Sequence, residues 1–252
     1  MADWNSALYL KFKKERTQPA IDLAHRVRSY NPPKIVDIGC GPGNSTEVLK
    51  MFFPNSDIYG IDSSQDMIDR AQKEHPELKF ELCDANSLTG GYDMLFSNAC
   101  LQWIPDHALL LPRLMSCLNA GGVLAVQLPL NREEPLFRII DKTVSDPKWN
   151  LGNVSPEFNN TLDPDKYYDI LSDCSSDFQI WETVYYHSLP SHQALIDWVK
   201  GTRLRPYLDM LDSENAVLFE NEILRCTEKE YPARIDGNVL LRFRRLFFTA
   251  SK

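Results

Sequence analysis

One stretch of the chain decides the fold: Lys34-Ile35-Val36-Asp37-Ile38-Gly39-Cys40-Gly41-Pro42-Gly43. Its apolar first half predicts a buried strand, and the capping residues that begin at Asn44 predict a helix that ends near Pro54. Glycines between a strand and a helix let a ligand approach the backbone and the positive end of the helix. The stretch therefore predicts a strand, a turn and a helix with a ligand at the turn.

The same alternation of apolar runs and helical spacing continues along the chain. We expect strands over 34–38, 57–61, 78–82, 92–97 and 122–128, and helices over 44–53, 64–74 and 106–118. The side-chain pattern of residues 178–187 and 239–250 alternates in the way that predicts two further strands. The pattern of residues 191–231 between them predicts helices interrupted at Pro206. Strands that alternate with helices are typical of an α/β fold with a mostly parallel sheet.

Composition and charge narrow the class of partner. A net charge of −8 argues against nucleic acid, because proteins that bind it present a dense basic face. No apolar run approaches the roughly 20 residues of a membrane span, and the start lacks a signal-peptide pattern, so we expect a cytoplasmic protein without a membrane partner. Basic residues nevertheless gather near the C-terminus and predict a small anionic partner: Lys200, Arg203, Arg205, Arg242, Arg244 and Arg245.

The 6 cysteines are scattered, and no pair has the spacing of a zinc or redox motif. We expect reduced thiols, mostly in the core, and no metal site. The oligomeric state stays open at this level.

Acidic residues follow two neighbouring predicted strands. Asp62 ends the second strand about 20 residues after the glycines, where an acidic residue accepts hydrogen bonds from ribose hydroxyls in this type of fold. Asp84 ends the third strand, beside the place where an adenine would lie. The alternatives are a helix cap for Asp62 and a plain turn for Asp84. Asp37, inside the first strand, is either structural or faces the positive part of the ligand.

The glycine spacing weighs against a nicotinamide dinucleotide. That class has the pattern G-x-G-x-x-G, whose third glycine would fall at Asn44. A nicotinamide oxidoreductase therefore stands as the weaker alternative, and an adenosine-containing ligand of another kind as the stronger one.

These motifs resemble the class I S-adenosylmethionine-dependent methyltransferases. Within that class the chain is similar to the trans-aconitate 2-methyltransferase family, through Asp3-Trp4-Asn5, Leu8-Tyr9-Leu10, Gly60-Ile61-Asp62-Ser63-Ser64, Leu101-Gln102-Trp103, Pro190-Ser191-His192-Gln193-Ala194 and Leu204-Arg205-Pro206. The resemblance extends from Asp3 to about Phe247 and departs at 129–132, which includes Arg132, and at Arg203.

The resemblance implies a fold, a cofactor and a reaction. The fold is a Rossmann-like sheet of seven strands, mostly parallel, with an antiparallel last strand and a helical cap inserted before it. We expect a single domain with an N-terminal helical lid (1–30), a cofactor-binding core (31–130) and cap regions (131–165 and 190–235). The reaction forms a methyl ester on a small polycarboxylic acid. The implied S-adenosylmethionine site consists of Asp37, Gly39, Gly41, Gly43, Asp62, Ser63, Met67, Asp84, Ala85 and Asn98.

A carboxylate substrate, with a pKa of roughly 4, is ionised at neutral pH and needs no general base, so we nominate no catalytic residue. Candidates for positioning and for excluding water are Trp4, Tyr9, Gln102 and Trp103. The alternative for all four is ordinary core, above all for Trp103. Candidates for the substrate carboxylates are Tyr186, His187, Arg205 and Arg245. Their alternatives are packing for the first two and surface ion pairs for the arginines. A non-catalytic binding protein with the same fold also remains an alternative.

Overall fold

The computed structural model describes residues 12–152 and 160–252. Seven strands form one sheet in the order β3-β2-β1-β4-β5-β7-β6. Their bounds are β1 Lys34–Ile38, β2 Asp57–Asp62, β3 Lys79–Leu82, β4 Tyr92–Asn98, β5 Leu118–Pro129, β6 Phe178–Leu189 and β7 Val239–Ser251.

Strand pairing confirms the predicted sheet. β1 pairs in parallel with β2 and β4, β2 with β3, and β4 with β5, whereas β5 and β7 are antiparallel. Because the parallel strands point the same way, their carboxyl ends lie along one edge, where ligands of open α/β sheets bind. β5 starts four residues before the predicted Gly122, since Leu118 already pairs with Tyr92 ahead of a register shift.

Nine α-helices lie in the described ranges: α1 Lys13–Arg26, α2 Asn44–Phe52, α3 Gln65–Glu74, α4 His107–Cys117, α5 Pro135–Val144, α6 Pro164–Cys174, α7 His192–Val199, α8 Arg205–Leu208 and α9 Ser213–Glu230. Between α7 and α8 the backbone forms a π-helix over Lys200–Leu204. Pro206 lies in the first turn of α8 and cannot donate to a preceding carbonyl, which explains the interruption predicted there.

The chain forms two compact units, and the prediction of a single domain stays a prediction. The larger unit comprises 16–129, 159–183 and 245–252. Its core includes fully buried residues of β1, β4 and β5, such as Ile35, Leu95 and Leu124. Ala20, Leu23 and Ala24 of α1 are also fully buried, so the second half of the predicted lid region belongs to the core of this unit.

The smaller unit comprises 1–15, 130–158 and 184–244, and so contains most of the predicted cap. Its apolar cluster is built from α5, α7, α9 and the first half of β7, with Leu136, Trp198, Phe219 and Leu241 as members. The Tyr231 hydroxyl accepts a hydrogen bond from the backbone N–H of Leu136 at 2.9 Å, which satisfies an otherwise unpaired donor in the first turn of α5.

Among residues 12–152 and 160–252, no helix has the length and apolar character that crossing a membrane requires. The same residues contain no cluster of three or more side chains suited to hold a metal ion. All six cysteines are free thiols; Cys40 and Cys117 are buried, while the other four are half-buried, so most of them lie outside the core, contrary to the prediction.

Candidate functional site

The glycine turn has a backbone that strongly favours glycine. Gly39, Gly41 and Gly43 have φ values of +69°, +54° and +94°, in the left-handed region. A Cβ on Gly39 would lie 2.1 Å from the Cys100 sulfur, whereas a Cβ on Gly41 would meet nothing within 4 Å. Gly39 is therefore required for packing, and Gly41 leaves open space beside the backbone at the start of α2.

Asp62 ties the end of β2 to this turn. Its Oδ2 accepts the Gly41 N–H at 3.0 Å, and its Oδ1 accepts the Ser64 N–H at 2.9 Å. The N-cap of α3 is Ser64, so Asp62 is not itself the cap. Burial raises the pKa of the carboxyl, and the backbone hydrogen bonds from Ser64, Gly41 and Ser63 oppose that rise. A half-buried carboxylate is thus held at the turn with acceptor capacity left over.

Asp37 is fully buried behind the glycine turn. Its Oδ2 accepts hydrogen bonds from the Ser45 and Thr46 hydroxyls, each at 2.6 Å. Its Oδ1 is buried and has no hydrogen-bond partner in the described part of the chain. Burial raises the pKa of Asp37 to about 6, against the two hydroxyl bonds that lower it. The free oxygen is suited to a positively charged ligand group.

The remaining predicted cofactor residues follow the same sheet edge. Asp84 is exposed, and its side chain accepts from the Asn86 N–H at 2.7 Å, as the turn interpretation predicts; Ala85 beside it is buried. Asn98 ends β4, and its buried Oδ1 has no hydrogen-bond partner within 12–152 and 160–252. Ser63 is exposed and Met67 is half-buried.

The candidates for positioning the reactants and excluding water differ in their exposure to solvent. Gln102 is buried, and its Nε2 donates to the Ala99 carbonyl at 2.6 Å. The neighbouring Trp103 is 40% exposed, so the interpretation of Trp103 as ordinary core is wrong. Trp4 and Tyr9 lie outside the described residues.

In the larger unit, Arg245 lies on β7 and is only 5% exposed. Its Nη1 donates to Oε1 of Gln127 on β5 at 3.3 Å. An arginine buried beside an amide is not a solvated surface residue, so the surface alternative for Arg245 is wrong. A guanidinium fork is the side-chain group that matches a carboxylate through two hydrogen bonds.

The other candidates for binding the substrate carboxylates, Arg205, His187 and Tyr186, lie in the smaller unit. Arg205 forms an ion pair with Asp209 at 3.4 Å, one turn along the helix, and Arg203 pairs with Asp141. His187 is buried and stacks on Trp198, with ring centroids 4.8 Å apart, as the packing alternative predicts. Tyr186, which precedes His187 on β6, is 61% exposed.

Two polar features were missed by the sequence analysis. Gln127 is a lone polar residue in the apolar end of β5, and that contrast was visible in the sequence. The second is a buried pair in which His107 Nδ1 and the Tyr167 hydroxyl are 2.6 Å apart, while His107 Nε2 contacts the Leu101 carbonyl at 2.9 Å. Its members are 60 residues apart in the chain, so no local pattern reveals it.

The fold and the carboxylates at the strand ends define a class I methyltransferase architecture. The chain matches the family model described as Methyltransferase domain over residues 33–177. It is 42% identical to a protein of Methylobacterium radiotolerans named trans-aconitate 2-methyltransferase, across 100% of this chain and 99% of that one. Relatives with the same name in Escherichia coli and Variovorax paradoxus are 42% and 39% identical with the same coverage. The chain belongs to the trans-aconitate 2-methyltransferase family.

Solved structures show the same fold. The YcgJ protein from Bacillus subtilis aligns with a TM-score of 0.59 at 12% identity, over 91% of this chain and 97% of that one. The plantazolicin methyltransferase BpumL, solved with S-adenosylhomocysteine, aligns with a TM-score of 0.54 at 16% identity, over 98% and 90%. Family membership contradicts the nicotinamide oxidoreductase alternative.

Proposed function

We propose that this chain is an S-adenosylmethionine-dependent carboxyl O-methyltransferase that forms a methyl ester of trans-aconitate in the cytoplasm. The observation that carries the proposal is the full-length identity of about 40% to relatives named for that reaction. The glycine turn joined to Asp62 supports the proposal, because it lies at the edge of the sheet where the cofactor is expected.

The residues of the turn fit S-adenosylmethionine. The open space beside Gly41 admits a ligand against the backbone, and the Asp62 carboxylate can accept from ribose hydroxyls. The unpartnered Oδ1 of Asp37 can accept from, or pair with, a cationic group. Asp84 and Ala85 would contact the adenine, and Ser63, Met67 and Asn98 would line the remaining wall. When bound, the cofactor supplies an electrophilic methyl group on a sulfonium.

The work left to the protein is positioning, because a carboxylate with a pKa of about 4 is already a nucleophile at pH 7. In the larger unit, Arg245 would bind one carboxylate of the acid as a guanidinium fork. In the smaller unit, Arg205 already shares its charge with Asp209, so we expect little from it. Gln102 and Trp103 would shield the reacting oxygen from water.

The direct test is methyl transfer. Purified protein is incubated with methyl-labelled S-adenosylmethionine and, separately, with trans-aconitate, cis-aconitate, citrate, isocitrate and isopropylmalate. We expect label in a base-labile ester of trans-aconitate, with much slower transfer to the others. Faster transfer to another acid would reassign the substrate, and cofactor binding without any transfer would support the non-catalytic alternative.

The N-terminal segment is proposed to close over the reactants through Trp4 and Tyr9. A chain that lacks residues 1–10 should keep its circular dichroism spectrum and cofactor binding, and lose turnover. Unchanged turnover would show that these residues take no part in the reaction.

A further inference from the structure

Gln127 is a buried amide in the otherwise apolar second half of β5. It is 0% exposed, as are Val126 and Leu128 on either side of it. Burying a primary amide costs free energy unless its hydrogen-bonding groups find partners, and an apolar residue would fill the same space without that cost. A role other than packing is therefore indicated for this side chain.

The contact with Arg245 fixes the orientation of the amide. A guanidinium only donates hydrogen bonds, so the Gln127 oxygen must face Arg245, as the 3.3 Å contact between Oε1 and Nη1 shows. The amino group then points away from the arginine. Gln127 Nε2 is buried and has no hydrogen-bond partner across 12–152 and 160–252. The unmet capacity is thus that of a donor, which a hydrogen-bond acceptor such as a carboxylate would satisfy.

The strand register places this donor at the ligand-binding edge. Gln127 is the pairing partner of Asn98 on β4 and of Phe247 on β7, while Arg245 pairs with Pro129 two residues further along β5. Partners in register, and residues two apart, project on the same face of a sheet. One face at the carboxyl ends of β4 and β5 therefore presents Asn98, Gln127 and Arg245 in a row.

We propose that Gln127 Nε2 and the Arg245 guanidinium together form a subsite for one carboxylate of the substrate, and that Gln127 is a specificity-determining residue. The inference rests on the proposed function. A neutral donor beside a guanidinium adds a directional hydrogen bond to the charge attraction, and it holds the arginine through its oxygen. Within the same row, Asn98 belongs to the proposed cofactor wall, so the subsite lies one strand away from that wall.

The informative substitution is Gln127→Glu, because it should preserve the fold and yet weaken the binding of the substrate. A carboxylate at this position can pair with Arg245, which preserves the buried contact. It also repels an incoming carboxylate and removes the donor. We expect the KM for trans-aconitate to rise about 10- to 100-fold, with the Kd for S-adenosylmethionine within about twofold of wild type.

Two further variants serve as controls. Gln127→Met keeps the length of the side chain without its donor, and should raise the KM by a smaller factor of about 3 to 10. Thr249→Val removes a buried hydroxyl from β7, opposite Ala125, and should leave the KM unchanged. Circular dichroism and thermal midpoints establish that each variant is folded. If Gln127→Glu does not fold, Gln127→Met decides the question.

Three dicarboxylate analogues can identify which carboxylate of trans-aconitate binds at the subsite. Mesaconate, glutaconate and itaconate each lack a different carboxylate of trans-aconitate. The inference predicts that Gln127→Met loses affinity for trans-aconitate but little or none for the analogue that lacks the carboxylate bound at the subsite. If both Gln127 variants keep the wild-type KM for trans-aconitate while the wild-type protein is active, the proposed subsite is overturned and the proposed function is not. Absence of methyl transfer by wild-type protein would instead overturn the proposed function.

Discussion

The larger and smaller units differ in where their unpartnered buried polar atoms lie. In the larger unit, buried polar atoms of Asp37, Asn98 and Gln127 lack partners among the described residues, and these three residues lie on the neighbouring strands β1, β4 and β5. In the smaller unit, Lys200 pairs with Glu220 at 2.6 Å, and Arg242 pairs with Glu134 at 2.5 Å. Among the described residues of the smaller unit, Asn131 and Trp149 also have an unpartnered buried atom each, but these two residues lie outside the strands of the sheet.

This difference changes how the basic residues near the C-terminus are interpreted. Each unpaired buried polar group costs about 1–3 kcal/mol, so several at one sheet edge indicate a binding function. Partly exposed ion pairs contribute little and indicate a stabilised surface. Charge counting along the sequence ranks Arg203, Arg205 and Arg242 equally with Arg245. In the structure the first three each pair with a carboxylate, and Arg245 is almost fully buried and contacts the Gln127 amide.

The largest expected effect is on cofactor binding in the larger unit. Asp62→Ala removes the acceptor for ribose and releases the Gly41 N–H, so affinity for S-adenosylmethionine should fall by about 100-fold or more, since each charge-assisted hydrogen bond contributes roughly 1.5–3 kcal/mol. Isothermal titration calorimetry measures the affinity of the variant for S-adenosylmethionine. Asp66→Ala, which removes a carboxylate paired with Arg70 on α3, is the matched control and should bind normally. Equal affinity in both variants would contradict the assignment of Asp62.

A second test concerns the buried pair of the larger unit. The Tyr167 hydroxyl contacts His107 and accepts the Leu162 N–H at 3.3 Å, so Tyr167→Phe leaves a buried imidazole nitrogen and a half-buried N–H unpaired. The free energy of unfolding should fall by about 1–3 kcal/mol in urea titrations. Tyr168→Phe, at the neighbouring 58% exposed position, should change it by less than about 0.5 kcal/mol. Similar losses in the two variants would show that the buried hydroxyl is not a stabilising partner.

A third test uses the pKa of Asp37, which burial raises from 3.8 to about 6 in the folded protein. The raised value means that the protonated form favours folding: this stabilisation is complete below about pH 3.8 and is lost as the pH rises through about 6. A cationic cofactor prefers the ionised carboxylate, so its affinity should increase several-fold between pH 5 and pH 7. Titrations with Asp37→Asn should show a weaker pH dependence, because only the Asp62 contribution is left; an unchanged profile would exclude Asp37 as the group responsible.

The smallest effect is expected in the smaller unit. Arg205 shares its charge with Asp209, which is half-exposed, so Arg205→Met should lower kcat/KM for trans-aconitate by no more than about fivefold. Initial-rate measurements at two ionic strengths check this value. A loss of a hundredfold would place the main anion contact in the cap and reverse the comparison between the units.

Local pattern sufficed to predict β1, the glycine turn and α2, because alternation, glycines and capping residues all act over a few positions. Other features depend on contacts between distant parts of the chain. The early start of β5 follows from the pairing of Leu118 with Tyr92, and the Gln127–Arg245 contact joins residues 118 positions apart. Exposure of Trp103 and burial of Arg245 likewise depend on packing, which a residue's own neighbours in the sequence do not determine.

The most direct test of the account compares substrate and cofactor binding in Arg245→Met. If the larger unit binds the acid through Arg245, the KM for trans-aconitate should rise at least about 30-fold while the Kd for S-adenosylmethionine stays within about twofold of wild type. A variant with wild-type KM would contradict the account, because the buried arginine would then have no part in recognising the substrate.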